Sequence, residues 1–101
     1  MTAFNANDFK TLTGKTLKRI EIEDGQAAFF TEDKELYVIH SLFGAFQDGP
    51  DTVDGDLRNV IETPITNAYY DIHNLAYVLE SEHGEVRILC PGSRTGFRRE
   101  Q

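Results

Sequence analysis

Apolar and polar residues alternate along several short segments of this chain, a pattern typical of half-buried β-strands. LKRIEIE at 17–23 is the clearest example, because its isoleucines fall on one face and its charged residues on the other. Asp24-Gly25 follows and favours a tight hairpin turn into AAFFTE at 27–32. After a polar turn, ELYVIH at 35–40 completes a predicted three-stranded meander.

The second half of the chain repeats this arrangement. ITNAYYDI at 65–72, LAYVLES at 75–81 and EVRILC at 85–90 are three more strand-like segments, separated by polar turns. Because the six short strands carry apolar residues on both faces, we expect one strongly bent antiparallel sheet.

Two short segments carry helical signals. NDFKTLTG at 7–14 begins with Asn7 or Asp8 as an N-cap and stops at a glycine, and DLRNVIETP at 56–64 begins with Asp56 and stops at a proline. Both segments are too short to be stable alone, so we expect them to pack against the sheet.

These elements predict a β-rich α+β fold with a single domain over 1–91 and a flexible basic tail over 92–101. The order helix, strand, strand, strand occurs twice, in half-repeats 8–41 and 56–91. The helical segment of the second half-repeat begins 48 positions after that of the first. The last strands overlay as ELYVIHS on EVRILCP. A true duplication and a chance effect of hydrophobic patterning both account for this similarity.

Size and composition narrow the class of protein. A chain of 101 residues has room for one core. It contains neither the apolar run of a secretory signal nor the longer one of a membrane span. The single cysteine, Cys90, agrees with a reducing compartment. We therefore expect a soluble, intracellular protein.

The net charge of −7 is distributed unevenly along the sequence. Residues 1–19 and 87–101 each carry a charge of +3, whereas residues 20–86 carry −13. Such a central field repels nucleic acid and membrane surfaces and attracts basic proteins, although charge of this kind can also serve solubility alone.

The acidic residues concentrate in DGPDTVDGDL at 48–57. This segment could be a metal loop, a contact surface or a plain solvated connection. It does not fit a calcium loop of the EF-hand type, because Pro50 occupies a ligand position and Ile61 replaces the bidentate glutamate. Asp56 is expected to cap the second helix. The predicted partner-binding carboxylates are Asp48, Asp51, Asp54, Glu32, Asp33 and Glu35.

Catalytic chemistry has little support in the sequence. His40, His73 and His83 could act as acids or bases and Cys90 as a nucleophile, but none lies in a recognisable motif. We therefore expect no enzymatic activity, no resident metal and no cofactor.

LTGKTLKRIE near the start, followed by VDGDLRNVIETPI at 53–65, resembles a family of small bacteriophage and prophage proteins known only as a domain of unknown function. The pattern is GKxL and then DGDLxxxIxxPI. It rests on Gly14, Lys15, Leu17, Asp54, Gly55, Asp56, Leu57, Ile61, Pro64 and Ile65. The chain departs from the family at Glu62, where the family has a second glycine, in lacking paired cysteines before Asp54, and in lacking an aromatic-rich C-terminus. The resemblance implies a phage setting, and with it the cytoplasm of a bacterial host, and no known chemistry.

Together these features predict a non-enzymatic phage accessory protein that binds a host protein through its acidic surface. The host protein could be a nucleic-acid-binding component of a defence system. The carboxylates of this chain would then bind it by imitating the phosphates of nucleic acid. A small metal- or ligand-binding module and a structural phage protein are the alternatives. A homodimer is compatible with the adjacent aromatic residues, whereas direct binding to nucleic acid or membrane is not expected.

Overall fold

The computed structural model describes residues 5–23, 25–41, 49–91 and 95–100. Within these ranges, an N-terminal 3-10 helix and a central 3-10 helix accompany eight strands. The helices are Ala6–Leu12 and Leu57–Val60, and the strands are β1 (Leu17–Glu23), β2 (Gln26–Thr31), β3 (Leu36–Ser41), β4 (Thr52–Asp54), β5 (Asn67–Asp71), β6 (Ala76–Ser81), β7 (Gly84–Leu89) and β8 (Thr95–Arg99). In these described ranges, no helix is both long and apolar enough to span a bilayer.

The β-rich α+β class predicted from the sequence is confirmed, and all six predicted strands are present. The strands form two antiparallel four-stranded sheets, however, instead of one bent sheet. The first sheet has the order β1-β2-β3-β8 and the second β4-β7-β6-β5. The sequence analysis did not predict strands β4 and β8, because both are short and each follows a segment whose residues are typical of loops.

The prediction of a flexible tail over 92–101 was wrong for Thr95–Arg99, which pair with β3 along its whole length. Phe97 is the physical reason, because its side chain is buried in the core and lies opposite Ile39. Gly96 lies within this strand, opposite His40, so a glycine at this position does not prevent pairing. Residues 92–94 and 101 lie outside the described residues.

The strand that follows each half-repeat pairs with the sheet of the other half. Strand β4 follows β3 in the chain but pairs with β7, and β8 follows β7 but pairs with β3. Ile39 therefore faces Phe97, as Ile88 faces Val53. This exchange interlocks the two halves, so neither sheet is made from one half alone.

The two halves also meet through a matched pair of backbone hydrogen bonds. The Gly14 N–H donates to the Ile65 carbonyl at 2.7 Å, and the Glu62 N–H donates to the Leu17 carbonyl at 2.8 Å. Gly14 and Glu62 both have positive φ angles, 88° and 59°. Equivalent positions of the two halves thus make reciprocal contacts.

The sequence overlay of the last strands was wrong by one residue. Tyr37 lies opposite Phe29, and its structural counterpart Val86 lies opposite Leu79. The overlay instead matched Tyr37 to Arg87. The reason is that the β2–β3 turn is one residue longer than the β6–β7 turn, and a shift of one residue exchanges the two faces of a strand.

Phe9 of the N-terminal 3-10 helix lies at the centre of the core. Its ring is fully buried and makes edge-on contacts with Phe29 at 5.5 Å, Phe97 at 5.1 Å and Tyr77 at 5.0 Å. The first two belong to the first sheet and Tyr77 to the second. The helix begins after Asn5, whose side chain accepts a hydrogen bond from the helix, so the predicted cap at 7 or 8 was two or three residues late.

Candidate interaction surface

The fold separates the charges of the chain between its two sheets. Residues 49–91, which build the second sheet and the central 3-10 helix, carry eight carboxylates and two arginines. The described residues of the first sheet and the N-terminal helix carry seven acidic and seven basic side chains. Apart from Arg87 of β7, the described basic residues of both chain ends therefore lie with the first sheet, and the second sheet holds the excess negative charge.

Four carboxylates of the second sheet share its outer face. Ala68, Leu79 and Val86 point into the core, so the residues that alternate with them point outward. We call this outer surface the acidic face, and its polar members are Asp54, Asp71, Glu80, Glu85, Tyr69, Arg87, Asn67 and Thr52.

Glu80 and Glu85 lie directly opposite each other on β6 and β7. The counterpart positions in the first sheet hold Phe30 and Leu36, an apolar pair. The two sheets thus share their strand order while differing in the chemistry of their outer faces. Like charges placed opposite each other in a sheet are unfavourable, so this pair is not explained by stability of the sheet.

Arg87 is the one cation of the acidic face, and it forms ion pairs with two carboxylates. Its guanidinium lies 3.2 Å from Asp71 and 3.3 Å from Glu85. The Asn74 amide donates to Asp71 at 2.7 Å, and this hydrogen bond, followed by the Arg87 contact, lowers the pKa of Asp71. Asp71 is therefore ionised at neutral pH. No ion pair to Glu80 or Asp54 occurs within the described ranges.

Tyr69 provides an aromatic ring among these carboxylates. It is half-buried and lies in the same cross-strand row as Val78, which in turn lies opposite Arg87. Burial, and then the negative charge of Glu80, raise the pKa of its hydroxyl. A neutral phenol beside carboxylates can receive a guanidinium both through its ring and through adjacent anions.

Glu35, one of the predicted contact residues, lies in the first sheet within a cluster of cations. Its carboxylate lies 2.6 Å from Lys15 and 3.0 Å from Arg99, and it accepts a hydrogen bond from the Tyr37 hydroxyl at 3.1 Å. The Lys15 hydrogen bond lowers the pKa of Glu35 and raises that of Lys15. These internal partners compete with any external cation.

Glu32 and Asp33 lie beside a shallow groove of about 320 Å³, which Gly14, Lys15 and Thr16 complete. Asp33 accepts a hydrogen bond from the Thr31 hydroxyl, which lowers its pKa. The groove thus mixes both signs of charge. It lies with the balanced first sheet, apart from the acidic face.

The predicted Asp-rich loop is divided among different surroundings. Asp48 lies outside the described residues. Asp51 and Asp54 are exposed on the β4 segment, and Asp54 lies opposite Arg87. Asp56 caps the central helix, accepting a hydrogen bond from the Arg58 N–H at 2.9 Å, as the sequence predicted. Of the five predicted contact carboxylates that the structure describes, only Asp54 belongs to the acidic face.

Metal-ligating side chains do not gather in the described part of the chain. No group of three or more His, Cys, Asp or Glu residues there is arranged to hold an ion. The metal-binding alternative therefore receives no support from these residues.

The histidines and the cysteine lie in unrelated environments. His40 Nδ1 lies 2.8 Å from the Ser41 carbonyl, His73 lies in the β5–β6 turn, and His83 lies 3.5 Å from Glu82. Cys90 is buried, and its burial raises the pKa of the thiol to about 12. A protonated, buried thiol is a poor nucleophile.

Sequence reasoning missed Asp71, Glu80, Glu85 and Tyr69 because it looked for charge clustered along the chain. The available signal was the period-two spacing of Glu85 with Arg87 and of Tyr69 with Asp71. Recognising it required the strand register, which turn lengths decide. Comparison of the chain with family models, curated proteins and solved structures finds no match.

Proposed function

We propose that this protein is a non-enzymatic phage accessory protein that binds a basic host protein through its acidic face. The observation that carries the proposal is the separation of charge. Residues 49–91 carry eight carboxylates and two arginines, and four of these carboxylates lie on the acidic face, whereas the described residues of the first sheet and the N-terminal helix carry balanced charge. If the negative charge served solubility alone, we would expect it on both sheets instead of mainly on one.

The preferred partner is a nucleic-acid-binding protein of a host defence system. Glu80 and Glu85 lie opposite each other on neighbouring strands, about 5 Å apart. Asp54 lies in the next cross-strand row and Asp71 in the row after that, with rows about 7 Å apart, so the four carboxylates form a small anionic lattice. Cationic surfaces that bind phosphates can accept such a lattice. Tyr69 adds a ring on which an arginine of the partner can stack.

A labelled octa-arginine peptide tests whether the acidic face binds cationic chains. In fluorescence anisotropy, the double variant Glu80→Gln/Glu85→Gln should bind the peptide about tenfold more weakly, since each exposed ion pair contributes up to about 1 kcal/mol. The matched variant Glu23→Gln/Glu32→Gln removes the same charge from the first sheet and should bind as the wild type does. Equal losses in both would show that net charge alone attracts the peptide and would overturn the proposal.

A second experiment addresses the host partner. The wild-type chain and both double variants, immobilised at equal density, are exposed to bacterial lysate at about 50 mM and about 200 mM salt. The proposal expects a nucleic-acid-binding protein that the Glu80/Glu85 variant fails to retain, and that excess duplex DNA displaces. A captured protein that duplex DNA leaves in place would contradict the imitation of phosphates.

A further inference from the structure

Strand β1 is the longest of the strands that pair on one side only within the described residues. The β5 edge is occupied where Thr13 Oγ1 accepts the Ala68 N–H at 3.1 Å, and β4 has only three residues. The β8 strand packs against the N-terminal 3-10 helix. On β1, the Leu17 carbonyl accepts a hydrogen bond from the Glu62 N–H. After Leu17, the only strand beside β1 among the described residues is β2.

The charges of β1 change sign along its length. Lys18 and Arg19 come first and Glu21 and Glu23 follow, all of them exposed, with half-buried Ile20 and Ile22 between them. An antiparallel copy of this strand would place its acidic end beside the basic end of the first. The strand is therefore complementary in charge to itself.

We propose that a second copy of this chain pairs with β1 in antiparallel fashion, with Ile20 opposite Ile20 of the second copy. In this register Arg19 lies opposite Glu21 of the second copy, and the same pair occurs again on the other side of the twofold axis. The two first sheets become one continuous eight-stranded sheet. The half-buried isoleucines at the edge gain apolar cover.

The order of the charges distinguishes β1 from an edge that is merely protected. Edge strands often carry charged residues and a bulge to prevent pairing, and β1 has a register shift between Leu17 and Arg19. Protective charges of one sign would repel a copy, whereas these attract it. The irregularity ends the shared ladder near Lys18 without disturbing Arg19, Ile20 and Glu21.

The local contacts of Arg19 fit the same register. Its guanidinium lies over the Phe30 ring at 4.0 Å and 3.4 Å from Glu21 of its own strand, with both charged side chains more than half exposed. A register displaced so that Glu21 met Glu21 of the second copy would place like charges together. The balanced charge of the first sheet also allows two copies to approach, which the acidic faces would not.

Charge reversal followed by sedimentation equilibrium tests the proposal. Wild type should dimerise as concentration rises, and Arg19→Glu and Glu21→Arg should each weaken the dimer about tenfold, because two attractive cross-strand pairs become repulsive. An equimolar mixture of the two single variants should regain wild-type affinity as a heterodimer, since position 19 of each copy then again faces a side chain of opposite charge at position 21 of the other. Far-ultraviolet circular dichroism confirms that each variant is folded.

Two results would overturn this interface. One is a wild-type chain that stays monomeric over the whole concentration range. The other is a mixture that associates no better than its separate components. The mixing experiment also separates this interface from the acidic face, because Arg19 and Glu21 lie on the first sheet, so that substituting them should leave peptide binding to the acidic face unchanged.

Discussion

Glu80 and Glu85 lie opposite each other across the β6–β7 ladder, whereas Phe30 and Leu36 occupy the counterpart positions of the first sheet. Two carboxylates in this arrangement repel each other, and the apolar pair shows that the fold does not need them there. Local features that oppose stability are expected at binding sites, where selection acts on something other than folding. This contrast between otherwise similar sheets is the strongest support for the acidic face.

Replacing Glu80 with glutamine should therefore stabilise the protein. Glu80 makes no ion pair within the described residues, so the substitution mainly removes repulsion from Glu85 and should raise the free energy of unfolding by about 0.2–1 kcal/mol. Urea denaturation measures this change. Glu23→Gln is the control, because Glu23 lies opposite neutral Gln26 and its loss should leave stability nearly unchanged. A destabilised Glu80→Gln protein would mean that this carboxylate has a structural role.

Acid should weaken the protein partly through Glu35. Because Lys15 holds the pKa of Glu35 below its ordinary value of 4.5, the ionised carboxylate favours the folded state. This contribution is complete well above pH 4.5 and is lost as pH falls through the lowered folded-state pKa. Glu35→Gln should be less stable than wild type at pH 7 and should lose less stability on acidification. Thermal melts from about pH 7 to about pH 3 give the comparison, and parallel curves would contradict it.

Phe9 should be among the most sensitive positions of the core. Phe9→Ala removes a fully buried ring that contacts both sheets and should cost about 3–5 kcal/mol, a large share of the stability of a small domain. Phe30→Ala, on the half-buried outer face of the first sheet, should cost clearly less. Chemical denaturation compares them, and similar losses would show that the N-terminal helix does not join the sheets as described.

Cys90 should react only when the protein unfolds. Burial leaves its side chain protonated at neutral pH, with a thiol pKa of about 12, and the reactive form is the thiolate. Iodoacetamide at about pH 7.5 should therefore label the native protein far more slowly than the protein in concentrated urea. Rapid labelling of the native chain would show that Cys90 is exposed by a local opening and would restore it as a candidate nucleophile.

The half-repeats remain a hypothesis about origin. The exchange of β4 and β8 and the reciprocal hydrogen bonds of Gly14 and Glu62 give the two halves equivalent roles in the fold. Physical packing alone can also favour such an arrangement, since two similar sheets bury their inner faces against each other. The equivalent roles of the two halves therefore do not by themselves show that one half arose by duplication of the other.

The sequence by itself determined the local elements, because they depend on nearby residues. Alternation in LKRIEIE, capping by Asp56 and the polar turns were enough to place six strands and one helix start. It also determined that the chain is acidic. The same local reasoning could not place β8, because TGFRR becomes a strand only where β3 offers an edge and the core accepts Phe97.

Only the tertiary structure decided where the charge resides. Along the chain the acidic centre looks continuous, but strand exchange carries Arg98 and Arg99 to the first sheet, and Arg99 meets Glu35 there. Strand register then brings Glu80 and Glu85 together from opposite sides of a turn. Charge acts through distances in space, and those distances are set by pairing between strands remote in sequence.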